Sequence, residues 1–133
     1  MAREYLNPPD LATPPSNMYN HIVKVGNIVF IAGQVSRGLD GNTIHVGDAA
    51  AQTRQVWANL EKAVKEAGGT LNDIVKTTTY VVGAENLAKI REARLEVLPA
   101  QGRPTSTTVV VAGLASPDLL VEVEAMAIIG DNP

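Results

Sequence analysis

The sequence contains no cysteine. That excludes disulfides, a thiolate nucleophile and a cysteine-ligated zinc. Aromatic residues make up only 4% of the chain, too few for a platform on which successive bases would stack. Basic residues are outnumbered by acidic ones, 11 to 14, giving a formal charge of −3. This balance argues against a non-specific grip on nucleic acid, which rests on neutralising phosphates. No apolar run approaches the roughly 18 residues of a membrane span. The N-terminal MAREYLNPPD has no apolar signal core, so the expected location is the cytoplasm. Internal repeats and low-complexity segments are also missing.

What is present fits one globular domain over residues 1–133, large enough to bury a core without staples. Its 45% hydrophobic and 19% charged residues separate it from disordered chains. Residues 3–6 can form a short edge strand, and the four prolines of residues 7–17 predict an irregular extended segment. Residues 19–25 and 28–35 read as a hairpin about Gly26 and Asn27. The return strand, IVFIAGQV, is apolar on both faces, and Gly33 within it suggests a bulge or a close backbone approach. A flexible loop follows over residues 36–47.

Asp48 is a plausible N-cap for a helix that runs to about Ala67, with the apolar stripe Thr53, Val56, Trp57, Leu60, Val64 and Ala67. Gly68 and Gly69 stop it. A β-rich run over residues 74–82 leads to a second helix over residues 87–98, ended by Pro99. Two further strands, residues 105–112 and 120–129, flank a loop holding Gly113, Ser116, Pro117 and Asp118. Two helices cover one face of a sheet of five or six strands. Strands apolar on both faces then leave the other face in need of a partner, and a second copy of the chain is the simplest one.

Alternation places Ser106, Thr108 and Val110 on one face of their strand, and Glu122, Glu124 and Met126 on one face of theirs. The two carboxylates are either a polar strand face or a proton-transfer group facing a cleft near Ser106 and Thr108. His21 and His45 have no second ligand at metal spacing, so no metal site is expected. The serines lack a nucleophile-elbow context, and Gly33, Gly38 and Gly41 do not form a phosphate loop. Trp57 reads as core. Arg103, before Pro104, is the basic residue nearest in sequence to the last two strands. It is either a solvated loop arginine or a partner for an anionic ligand.

The segments IAGQV, AAAQTRQVWANLEKAVKEAGG, DIVKTTTYV and LLVEVEAMAI resemble the RidA family, formerly YjgF and often labelled endoribonuclease L-PSP. The resemblance runs through almost the whole chain from Tyr19 onward. It implies a chorismate-mutase-like α+β fold, a mixed sheet with two helices on one face, and a homotrimer built by sheet packing with ligand clefts between subunits. It also implies hydrolysis of enamine and imine intermediates without metal, cofactor or covalent nucleophile. Matched residue by residue, the water-positioning glutamate falls on Glu124, the cleft glycine on Gly33 and the cleft tyrosine on Tyr19. The serine or cysteine beyond the clamp falls on Thr108. The substrate-clamping arginine falls on Ser106, where the chain reads PTSTT.

That departure matters because a bidentate arginine–carboxylate contact is a strong and geometrically specific anchor. Serine is too short to replace it, and Arg103 is the sequence's candidate substitute. Two readings follow. One is a hydrolase acting on a small metabolite other than a simple α-imino acid. The other is a trimer that binds a small molecule without chemistry. A ribonuclease is disfavoured by the acidic balance and sparse aromatics.

Overall fold

Alternating burial organises the sheet. In β6 (Val121–Ile128) the residues at 121, 123, 125 and 127 are buried, while the intervening ones are half-buried or exposed. The computed structural model describes residues 1–130, so the last three residues of the expected 1–133 domain lie outside the described residues. Within it, β1 (Arg3–Leu6), β2 (Ile22–Val25), β3 (Ile28–Gln34), β4 (Ile74–Val82) and β5 (Thr105–Val111) join β6 in one six-stranded sheet, in the order β1-β2-β3-β6-β4-β5. All neighbours are antiparallel except β4 and β5, which are parallel and linked by α2 (Leu87–Val97). A parallel pair needs such a crossover.

The longer helix, α1 (Ala49–Glu66), follows the predicted stripe. Val56, Trp57, Leu60, Ala63 and Val64 are all buried against the sheet face formed by Val29, Ile31, Val81, Val121 and Val123. Asp48 caps it by accepting a hydrogen bond from the Ala51 backbone N–H at 3.0 Å. At the other end Gly68, with φ of +97°, lets the Gly69 N–H return to the Val64 carbonyl at 2.8 Å. In α2 only Ile90 and Ala93 are fully buried, and Leu95 points off the stripe at 51% exposure, as its spacing predicts.

Among the described residues the opposite sheet face carries no helix. Register pairs Phe30 with Met126, Met126 with Lys76, Glu124 with Thr78 and Thr78 with Thr107, so these side chains share it. Phe30, Val109 and Ile128 are each at least 40% exposed there. The unpartnered apolar face expected from the strand pattern is therefore present.

Two expectations need adjustment. Tyr19 does not lie on a strand, because β2 starts only at Ile22; it ends the proline-rich segment. Ser106 and Thr108 pair in register with Thr77 and Thr79, which are buried on the helix side. They therefore face away from Glu122 and Glu124. The expected cleft joining these carboxylates to Ser106 and Thr108 does not exist within one chain. Sequence alternation assigns two faces to each strand but cannot relate the faces of two strands without their register.

Candidate functional site

The site grows out of a defect in β3. The β3–β6 register slips between Ile31 and Gln34, so Ala32 and Gly33 together oppose one residue of β6. This bulge brings the backbone of Gly33 against Glu122. A Cβ added at Gly33 would lie 2.8 Å from the Glu122 carboxyl carbon and from Oε2. Glycine leaves room here for the Glu122 side chain, which a larger residue would displace; its backbone angle is not what calls for it. Both features anticipated for Gly33, the bulge and the close contact, are found.

A cavity of about 460 Å³ opens beside this contact. Its wall includes Gly33, Glu122, Tyr19, His21, Arg37 and Ala115. His21 is buried and committed at both ring nitrogens: Gln34 Nε2 donates to Nδ1 at 3.1 Å, and Nε2 donates to the Ala12 carbonyl at 2.6 Å. These contacts tie the proline-rich segment to β3. The Tyr19 ring stacks edge-on to His21 with centroids 6.0 Å apart, and remains 43% exposed at the mouth.

Glu122 is half-buried, and its pKa is raised, first by burial and then by Glu124, against an opposing pull from Arg37. Glu124 has different surroundings. It is exposed, lies outside the cavity, and accepts a 2.6 Å hydrogen bond from the Tyr80 hydroxyl. That carboxylate also raises the Tyr80 pKa. Of the sequence candidates, Tyr19 and Gly33 therefore meet, but Glu122 accompanies them where Glu124 was expected. The two glutamates share a face and a spacing of two, and only the bulge distinguishes them. A residue count along β6 carries no trace of it.

The remaining candidates form a separate group. Ser106 is exposed and accepts a 3.0 Å hydrogen bond from Nη1 of Arg94 on α2. Thr108 is half-buried on the same face. Arg103 donates from Nε to the Pro99 carbonyl at 2.8 Å, so part of its guanidinium is engaged by its own loop. Arg103 is thus not the basic residue bonded to β5: Arg94 is. Burial lowers the Arg94 pKa, and the like charges of Arg91 and Arg103 lower it further. Arg94 was missed because α2 and β5 meet only through the crossover.

Among the described residues no cluster of histidine, aspartate or glutamate has metal-holding geometry, and no helix is long and apolar enough to cross a membrane.

Residues 10–129 match the family model described as Endoribonuclease L-PSP. A RutC family protein of Pyrococcus abyssi is 36% identical over 116 residues, covering 87% of this chain and 90% of the relative. The 3-aminoacrylate deaminase RutC of Acinetobacter baylyi is 33% identical over 119 residues, covering 90% of this chain and 93% of that protein. Among solved structures, a Mycobacterium tuberculosis member of the YjgF/YER057c/UK114 family superposes with a TM-score of 0.81 at 30% identity, covering 96% of this chain and 100% of that one. RidA from an Antarctic Psychrobacter gives a TM-score of 0.81 at 30% identity, covering 90% and 95%. With the family model spanning nearly the whole chain and the fold shared with these structures, the protein belongs to the RidA/YjgF family.

Proposed function

We propose that the protein is a RidA-type deaminase whose water-positioning residue is Glu122. The single observation that carries this is the half-buried Glu122 carboxyl, packed on the Gly33 bulge in a cavity shared with Tyr19. In the reaction an enamine first takes its imine form. Glu122 accepts a proton from water as the oxygen bonds to the C=N carbon. The same proton passes to nitrogen to give a carbinolamine. Its hydroxyl proton is then relayed through Glu122 to the nitrogen as the C=O bond forms and the C–N bond breaks, releasing ammonia and a carbonyl product. A carboxyl raised in pKa is better matched to this shuttling near neutral pH than an exposed one.

The substrate is a small enamine or imine other than a simple α-imino acid, because position 106 offers a serine already engaged by Arg94. The relative named 3-aminoacrylate deaminase supports a β-enamino acid, in which one carbon separates the carboxylate from the reacting centre. The unpartnered sheet face supports a homotrimer by sheet packing, with ligand clefts completed between subunits.

The test is ammonia release from 3-aminobut-2-enoate and from enamines generated in situ. Glu122→Gln should lower the rate by about 10²-fold or more, while Glu124→Gln keeps most of it. Equal rates in the parent and Glu122→Gln on every substrate would sink the reading. The second reading, a trimer that binds a small molecule without turnover, is favoured by the missing clamp at Ser106. It gains if ligand binds and no substrate of the panel yields ammonia.

A further inference from the structure

We propose that Arg37, in the loop between β3 and α1, is the anion-anchoring residue of the Glu122 cavity and holds the carboxylate of the substrate. The substrate assignment rests on the β-enamino acid reading above; the anchoring itself does not.

Arg37 lines the same cavity as Glu122 and Tyr19, and it is the one lysine or arginine in that wall. The loop holds it firmly. Its N–H bonds the Val35 carbonyl at 2.9 Å, and an isolated bridge pairs it with Thr43. On either side, Ser36 donates from Oγ to the Ile44 carbonyl at 2.6 Å and the Gly38 N–H bonds the Asn42 carbonyl at 2.9 Å. Its backbone is therefore fixed before any ligand arrives, which lowers the entropy lost on binding.

The guanidinium, by contrast, is under-used. Its Nη2 makes one long contact, 3.4 Å, to Ser116 Oγ. Among the described residues the ion pair is Arg54–Glu96, and Arg37 has no carboxylate within 4.0 Å. A guanidinium presents five donors in a planar fork that matches a carboxylate. Glu122 feels the charge of Arg37 without pairing to it. The cavity thus has a cation and a carboxylate on its wall with a gap between them. A β-enamino acid fits that polarity, with its carboxylate at Arg37 and its reacting carbon toward Glu122. The chain lacks an arginine at position 106 and has an unpaired one here, reached from a different element.

The probe is freshly prepared acetoacetate, a 3-oxo acid of the product class, compared with neutral acetoacetamide, by calorimetry on the intact protein. The parent should prefer acetoacetate. Arg37→Gln should weaken acetoacetate about tenfold or more and leave acetoacetamide unchanged, with Arg37→Lys in between. The proposal is overturned if Arg37→Gln binds acetoacetate like the parent, if Arg94→Gln weakens it as much, or if the parent shows no acetoacetate binding at about 10 mM. A melting curve for each variant separates lost binding from lost fold, and a folded Arg37→Lys that retains partial affinity supports the anchor. Binding that needs Arg37 in a protein that releases no ammonia would remove the deaminase reading and leave the anchor standing. Turnover that needs Glu122 but shows the same KM in Arg37→Gln would do the reverse.

Discussion

Glu122 and Glu124 lie two residues apart on one strand face, yet their surroundings differ. Burial against Gly33 raises the pKa of Glu122, Glu124 raises it further, and Arg37 pulls it back. The water activation proposed for Glu122 needs its carboxylate form. Activity should therefore rise with pH through a limb lying above the ordinary glutamate range. Glu124→Gln should move that limb down, and Arg37→Gln should move it up; a pH–rate profile of the three proteins reads both shifts. The stability consequence has the opposite sense. A glutamate whose folded pKa is raised binds more protons folded than unfolded, so stability falls as pH rises from the ordinary value to the raised one. Glu122→Gln should flatten that decline in denaturant titrations across the same window. If the parent shows no decline there, the burial argument fails.

Elements meet at two places that bear on the site. On α1, Gln52 is fully buried and joins both loops that flank the cavity. Its Nε2 donates to the carbonyls of His45 and Asp118, at 3.2 and 3.0 Å, and its Oε1 accepts from the Leu120 N–H at 2.9 Å. Gln52→Ala would leave these backbone groups without partners, so a loss of about 2–4 kcal/mol is expected in urea unfolding. The second place is the α2–β5 seam. Installing Ser106→Arg to restore a clamp removes the acceptor of Arg94 and adds a cation beside Arg91, Arg94 and Arg103. Because Ser106 is exposed and Arg94 only half-buried, the cost should be about 0.5–1 kcal/mol. The double variant Arg94→Ala, Ser106→Arg should recover it, and additive losses would show that the charges do not interact.

At the scale of the molecule, the helix-free sheet face is the outstanding feature. Phe30 is 45% exposed at its centre, beside half-buried Met126, and Val109 and Ile128 extend the apolar surface. A face of this kind buries against a partner. Sedimentation should find an oligomer, with a trimer the proposed form. Phe30→Lys should shift it toward monomer while leaving the helix-side core and the circular dichroism intact. A monomeric parent at micromolar concentration would remove the inter-subunit cleft from the proposal. The same variant would then report whether the cavity of one chain binds acetoacetate alone.

Periodicity in the sequence determined much of this protein. The stripe of α1, its Asp48 cap and the Gly68–Gly69 stop are local signals, and each strand appears within a few residues of its expected place. The uncovered apolar face was legible too, because two helices are too few for six strands. Tertiary structure decided the site. Strand register put Ser106 and Thr108 on the helix side, a crossover brought Arg94 to them, and a bulge of one residue turned Glu122 rather than Glu124 toward Gly33. These choices depend on pairings between distant segments. A period of two fixes which residues share a face along one strand, but only hydrogen-bonded neighbours fix which face it is.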